Sequence, residues 1–219
     1  MMKTTVPRTI RRTFLIASAA LACTGMLPGA NAWAADQAPD AFIEQQCNQV
    51  LTEIKANKQA LENGSLAPIM KIVDGLIMPS VNFGRMTAAA VGPAWRRATA
   101  EQKEKLQQAF KTLLIRTYAG ALKQVNNQTL EMRPFRGGPN DQEVVVQTRV
   151  RGQGDPIQID YRLERTPGQG SGWKIYDLNI LGVWLVDTYR PQFAQQINAG
   201  GIDALIQALD ARNQANAGQ

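Results

Sequence analysis

The chain has 219 residues, with 24 Lys and Arg against 18 Asp and Glu, two cysteines and no histidine, for a formal charge of +6. Without histidine, Ser-His-Asp and Cys-His catalysis are excluded, and a zinc site has almost no ligands to draw on. The positive charge is unevenly spread, and its position decides what it means.

Lys3, Arg8, Arg11 and Arg12 open the chain with no acidic residue near them. Phe14 to Leu27 is apolar but too short to span a bilayer, and Ala32-Trp33-Ala34 offers small residues at both cleavage-determining positions. This is the three-part pattern of a secretory signal peptide over residues 1–34, cleaved after Ala34. Arg11-Arg12-Thr13-Phe14-Leu15 also resembles a twin-arginine signal, so both export routes stand open. Cys23 suggests lipidation, but Leu21 sits one place too near it. Removing the leader lowers the formal charge from +6 to +2 and leaves no basic cluster, which argues against a nucleic-acid partner. The mature part keeps a single cysteine, Cys47, and so has no internal disulfide. Its length suits one domain over residues 35–213, with 214–219 as a frayed tail. No later apolar run is long enough to cross a membrane, and the expected destination is the periplasm.

From Pro39 to Asn63 the positions Ile43, Cys47, Val50, Leu51 and Ile54 recur at helical spacing, and Asn63-Gly64 ends that helix. Cys47 on this stripe reads as a small buried hydrophobe. Ser65 can cap a second helix with Pro68 in its first turn, running to Leu76-Ile77-Met78 and stopping before Pro79. A further segment, Asn82–Val91, is broken by Gly92-Pro93. Thr99-Ala100-Glu101-Gln102 is a capping box that opens a long helix to about Val125. The pattern then changes to period two. A first strand falls near 128–134, a second over Glu143–Arg151, and a third from Ile157 to Glu164 after the hairpin signal Gly152-Gln153-Gly154-Asp155. A fourth starts at Trp173. Two helices, Val186–Asn198 and Gly201–Asn213, close the chain. The reading is α+β, a four-stranded antiparallel meander with six or seven helices packed on its apolar face. The stretch Trp173–Phe193 stays apolar through Ile180, Leu181, Val183, Trp184, Leu185 and Val186, more than one sheet face requires.

No phosphate loop is present, and Gly168-Gln169-Gly170-Ser171-Gly172 lies in a strand–strand turn, so it is no dinucleotide fingerprint. Carboxylate chemistry would draw on Asp160, Asp177 or Asp187 with Tyr161, Tyr176 or Tyr189, but no pair in a pocket is visible. Asp160 alternates onto the solvent face, and Asp177 suits a structural hydrogen bond. Asn63-Gly64-Ser65 and Asn127-Gln128-Thr129 match a glycosylation sequon by chance.

Leu76-Ile77-Met78-Pro79 with Phe83, Gly92-Pro93-Ala94-Trp95-Arg96 leading into Thr99 and Gln102, then Phe110, Leu113, Leu114 and Tyr118, follow one another in a distinctive order. Asp160-Tyr161, Trp173-Lys174-Ile175-Tyr176-Asp177, Gly182-Val183, Tyr189-Arg190-Pro191-Gln192-Phe193 and Gly201-Ile202-Asp203-Ala204-Leu205-Ile206 continue it. In this order and spacing, over about residues 40–210, the chain resembles the MlaC, or toluene-tolerance, family. The resemblance implies a curved antiparallel sheet wrapped by helices around an apolar pocket. It implies a periplasmic phospholipid shuttle, maintaining outer-membrane lipid asymmetry, between an outer-membrane lipoprotein–porin complex and the substrate-binding ring of an inner-membrane ABC transporter. The cargo would be a phospholipid, with no cofactor, no metal and no catalysis, and the protein a monomer. Trp184 departs from the pattern, where a small residue is expected.

Moving a diacyl lipid through water exposes about 15 methylenes per chain, at roughly 0.8 kcal/mol each, so a carrier needs a dry slot worth about 12 kcal/mol per chain. Val144, Val146, Val150, Ile157, Ile159, Tyr161 and Leu163 would form its floor. Phe83, Met86, Val91, Phe110, Leu114, Tyr118, Ile180, Val183 and Leu185 would form its walls. Met70, Met78 and Met86 suit a surface that re-packs around varied chains. Arg96 and Arg190 are candidates for the headgroup. The same apolar residues would equally make an ordinary core, which keeps two other readings open: a small-molecule enzyme on a cone-shaped α+β fold, and a periplasmic adaptor that binds no lipid.

Overall fold

The computed structural model describes residues 37–216 except residues 64, 139 and 153. The proposed leader, the proposed helix stop at Gly64 and the last three residues of the tail lie outside the described residues.

Helix α1, Pro39–Ala56, starts with proline at its first position, where the missing N–H costs nothing. The single helix expected to reach Asn63 is divided. Asn57 folds its side-chain amide back onto the Glu53 carbonyl at 2.8 Å, and a short α2, Lys58–Glu62, resumes beyond it. This local bond competes with the helical ladder. Helix α3, Ala67–Ile72, widens into a π-helical turn over Val73–Ile77 and then a 3-10 turn over Met78–Ser80. Ser65 accepts the Ala67 N–H, but Leu66 holds the cap position. Helix α4, Phe83–Val91, is capped by Asn82, which accepts the Arg85 N–H at 3.0 Å. Gly92 then takes φ +71°, a conformation costly for any other residue, and turns the chain into a 3-10 segment through Arg97. The capping box forms as expected: Thr99 accepts from Gln102 N–H, Gln102 accepts from Thr99 N–H, and α5 runs Ala100–Lys123.

The sheet is an antiparallel meander, β1 Thr129–Met132, β2 Glu143–Arg151, β3 Ile157–Arg165, β4 Trp173–Ile180 and β5 Val183–Trp184. It has five strands among the described residues, where four were expected. The extra one is the two-residue β5, which pairs Val183 with Ile180 and Trp184 with Asn179 before the chain enters α6. Helix α6, Leu185–Ala215, contains both expected closing helices, joined at a kink where Gly201 has φ +76°.

One irregularity governs the sheet. Arg162 pairs with Asp177, but Leu163 pairs with Ile175, so Tyr176 is a bulged residue. Trp173 and Ile175 therefore face inward before the bulge, and Leu178 and Ile180 after it. Asp177 and Asn179 turn to the other face, beside Arg162 and Asp160. That face is not the plain solvent face the alternation suggests. Asp160 is only 6 % exposed and accepts two hydrogen bonds from Gln158.

Helices α4, α5 and α6 pack together, and α1 lies against β1 and β2. The buried apolar residues form three clusters among the described residues. The first joins α4, α5 and α6 around Phe83, Phe110, Tyr189 and Phe193. The second joins α1 to the sheet around Phe42, Ile43, Val146 and Leu163. The third joins α1, α2, α3 and α5 around Ile54, Leu61, Ile69 and Ile115.

Candidate functional site

A domain of this size ordinarily buries one contiguous apolar core. Here the core is interrupted where the sheet's inward face meets the helices. Register makes the interruption visible. At one end of that face Val144, Leu163 and Ile175 lie side by side and are buried. In the next row Val146 and Tyr161 are buried, while Leu178 is half-buried. In the third, Thr148 is covered but Ile159 and Ile180 are half-buried. In the last, Val150 is half-buried and Ile157 is 39 % exposed. Val183, which pairs with Ile180, is 54 % exposed.

Helical side chains opposite show the same pattern. Leu114 and Tyr118 of α5 and Met78 are half-buried, although all three pack on the first cluster. Met78 also touches the third cluster, and Val81 and Leu178 touch both the first and the second. In a close-packed interior such bridging side chains would be covered on all sides. Cys47 adds a polar pair to this wall. Its thiol lies 3.2 Å from the Tyr161 hydroxyl. Burial pushes the Cys47 thiol up, with the Tyr161 hydrogen bond opposing it. Burial likewise pushes the Tyr161 phenol well above its ordinary value, and the neighbouring thiol adds to the effect. Both groups stay neutral at physiological pH.

The predicted lining residues therefore fall into three sets. Phe83, Met86, Val91, Phe110 and Leu185 are buried in the first cluster, with Leu114, Tyr118 and Ile180 packed half-buried against it. Val144, Val146, Tyr161 and Leu163 are buried in the second, with Ile159 half-buried beside them. Val150, Ile157 and Val183 stand at the open end of the sheet. The reading of the sequence missed Leu178 and Val81, which lie where the first two clusters meet, and Cys47, which packs against the second. Leu178 could not be found by alternation, because the bulge at Tyr176 moves it to the inward face. Two shallow concavities of about 430 and 440 Å³ lie elsewhere. One is lined by Lys105, Arg116, Asp210 and Asn213, the other by Gln45, Asn48, Thr52 and Glu53.

The groups considered for carboxylate chemistry are engaged in holding the fold. Asp177 is 1 % exposed. Its carboxylate accepts the N–H groups of Leu178 at 2.9 Å and Val186 at 3.1 Å, and Arg162 at 2.9 Å. It thus caps α6 from the sheet. Burial raises its pKa, against the lowering pull of those donors. Asp187 lies 3.9 Å from Arg162 and is largely exposed. Tyr176 donates to Glu143, and Tyr189 packs edge-on against Phe110. Trp184 lies under the Arg162 guanidinium at 3.8 Å, on the sheet face that carries Asp177. The indole that departs from the expected pattern thus stacks on Arg162, the partner of buried Asp177. Of the headgroup candidates, Arg190 donates to the Ala89 carbonyl at 3.0 Å and ties α6 to α4, while Arg96 is exposed on the 3-10 segment.

Fold and site define a class: an α+β protein with an antiparallel meander packed against helices and an inward face whose apolar side chains are partly exposed at one end. The chain belongs to the MlaC family, whose model, described as MlaC protein, matches residues 44–211. It is 25 % identical over 170 residues to the toluene tolerance protein ttg2D of Pseudomonas putida, covering 77 % of each chain. To the intermembrane phospholipid transport system binding protein MlaC of Haemophilus influenzae it is 26 % identical over 175 residues, 78 % of this chain and 80 % of that one. A solved structure of the phospholipid-binding protein from Ralstonia solanacearum, in complex with a phospholipid, superposes with a TM-score of 0.77 at 44 % identity. The match covers 81 % of this chain and 98 % of that one.

Proposed function

We propose that this protein is a phospholipid-binding transport protein that takes up the acyl chains of its cargo between the inward face of the sheet and helices α4, α5 and α6. The observation that carries this reading is the gradient along the inward face, from covered Val144, Leu163 and Ile175 to half-covered Ile159, Leu178 and Ile180. Apolar side chains left partly uncovered inside a domain cost free energy unless something apolar completes them. An acyl chain supplies that partner without asking for any hydrogen bond. The family relationship supports the same reading, since the Ralstonia relative is described in complex with a phospholipid.

The lining then consists of Leu114, Tyr118, Ile159, Leu178, Ile180 and Met78, with Val150, Ile157 and Val183 at the mouth. Phe83, Met86, Val91, Phe110, Val144, Val146, Tyr161, Leu163 and Leu185 form the packed layer behind them. The cargo moves through the periplasm between the two membranes, maintaining outer-membrane lipid asymmetry. It is exchanged with an outer-membrane lipoprotein–porin complex and with the substrate-binding ring of an inner-membrane ABC transporter. Residues 1–34 direct export and are removed, and the carrier works as a monomer without cofactor or catalysis. Among the described residues no helix is long and apolar enough to cross a membrane, in keeping with a carrier that leaves the bilayer.

Native mass spectrometry of protein purified without detergent tests this reading. The expected spectrum carries an added mass matching one or more phospholipids. A clean apo mass, together with failure to take up lipid from vesicles, contradicts it.

A further inference from the structure

The turn between β4 and β5 is built against its own conformational preferences. Leu181 and Gly182 are its two central residues, with φ +54° and +89°. Leu181 is the one non-glycine residue with positive φ among the described residues. Such a turn favours Asn, Asp or Gly at both places, and a branched apolar side chain there is strained. The surroundings hold it in place. Gly182 N–H donates to Asn179 Oδ1 at 2.8 Å, and Leu181 N–H donates to the Gln158 carbonyl at 3.0 Å.

The strain is not offset by burial, since Leu181 is 65 % exposed, the most exposed large hydrophobe among the described residues. Neither stability nor solubility accounts for a leucine at this place. Held strain of this kind is typical of functional sites. Two other exposed aliphatic side chains share this end of the sheet. Ile157 precedes the Gln158 that anchors Leu181, and Val183 follows Gly182. Both belong to the inward face, at the open end of its gradient, so the apolar tip is continuous with the mouth of the cleft.

Cations flank this tip on the outer side. Arg149 pairs with Gln158, and Arg151 stands at the end of β2. Arg151 is ion-paired with Glu131, Arg133 and Arg149 lie near enough to act on the same carboxylate, and Lys55 reaches the Gln128 carbonyl beside β1. Against these four cations stand Glu131, the hairpin's Asp155 and the covered Asp160, whose carboxylate is held by Gln158. The excess of positive charge favours an anionic partner.

We infer that the Ile157–Leu181–Val183 tip is a docking point for an anionic lipid bilayer, where Leu181 enters the headgroup layer and Arg149 and Arg151 meet the phosphates. This inference rests on the lipid-carrier reading and says where that carrier meets its membrane. A protein partner fits the tip less well, because three small aliphatic side chains lack the aromatic anchors of protein interfaces. Insertion of a few aliphatic groups with a few arginines gives weak, reversible, salt-sensitive attachment, which suits a carrier that must leave again.

The test compares the mature wild type with Leu181→Asn and Arg149→Gln on phosphatidylcholine vesicles with and without phosphatidylglycerol, reading co-sedimentation and transfer of a fluorescent phospholipid. Wild type associates with the anionic vesicles at low salt. Leu181→Asn relieves the turn, so it melts no lower than wild type and keeps its co-purified lipid, yet its association and transfer fall by about fivefold or more. Arg149→Gln loses affinity for the anionic vesicles alone. If Leu181→Asn associates and exchanges like wild type, the docking point is overturned. A wild type that carries lipid but associates with neither vesicle overturns it as well, and leaves the tip to a protein partner. If the wild type carries no lipid and exchanges none, the carrier reading itself fails, a result distinct from the other two.

Discussion

The two ends of the sheet's inward face are built from the same kinds of residue and differ in how far they are covered. At the closed end Val144, Leu163, Ile175 and Trp173 are covered by α1 and by one another, and the Trp173 indole N–H is satisfied by the Gln37 carbonyl at 2.9 Å. At the open end Val150, Ile157, Ile159, Ile180 and Val183 are just as apolar but only partly covered. Hydrophobicity therefore does not distinguish the two ends; coverage does. On the proposed function, the closed end stabilises the fold and the open end is completed by cargo.

That contrast breaks if substitutions at the two ends have the same effect. Leu163→Ala, at the covered end, should lower stability by about 2–5 kcal/mol in urea unfolding, because it leaves a cavity the neighbours cannot fill. The folded fraction should still carry lipid. Asp177→Ala should cost about 1–3 kcal/mol by the same measurement, since it strips the acceptor from two covered N–H groups and leaves Arg162 without its main partner. Ile180→Ala, at the open end, should cost only about 1 kcal/mol, yet reduce the lipid retained through purification. A large stability loss at Ile180 with unchanged lipid would erase the distinction.

The smallest effect concerns pH. The Arg85 guanidinium, with help from Tyr176, holds Glu143 below the ordinary carboxylate value. The unfolded chain then binds more protons than the folded one in the window between the lowered and the ordinary value, so stability rises with pH through that window. Below it the contribution is lost. Glu143 is half-exposed, so Glu143→Gln should flatten the acid limb of the stability curve by less than about 1 kcal/mol.

Much of this architecture is legible from the residues. Period-two alternation locates β2, β3 and β4, and the Thr99–Gln102 pair announces α5, because these signals are local and self-contained. What escapes is what depends on partners distant in sequence. The bulge at Tyr176 is set by pairing with β3, and it alone decides that Leu178 faces inward. Asp160 alternates outward and is still buried, its carboxylate held by Gln158 and its backbone paired with Asn179. Trp184 has no local explanation and becomes clear only once Arg162, twenty-two positions earlier, stacks on it. The candidate site suffers most. A slot wall and a core wall have the same composition, so residues such as Phe110 and Leu163 cannot be told from Leu114 and Ile159 until coverage is known.

Filling the open end tests the central claim most directly. In Ile180→Trp an indole would occupy the space assigned to the acyl chains while Leu163 and the closed end stay intact. Native mass spectrometry and thermal unfolding of wild type and variant, both purified without detergent, should give a phospholipid adduct for the wild type. The variant should show an apo mass and melt no lower than lipid-free wild type. A variant that keeps its full complement of lipid would contradict the account, because the cargo would then lie somewhere other than against the open end of the sheet.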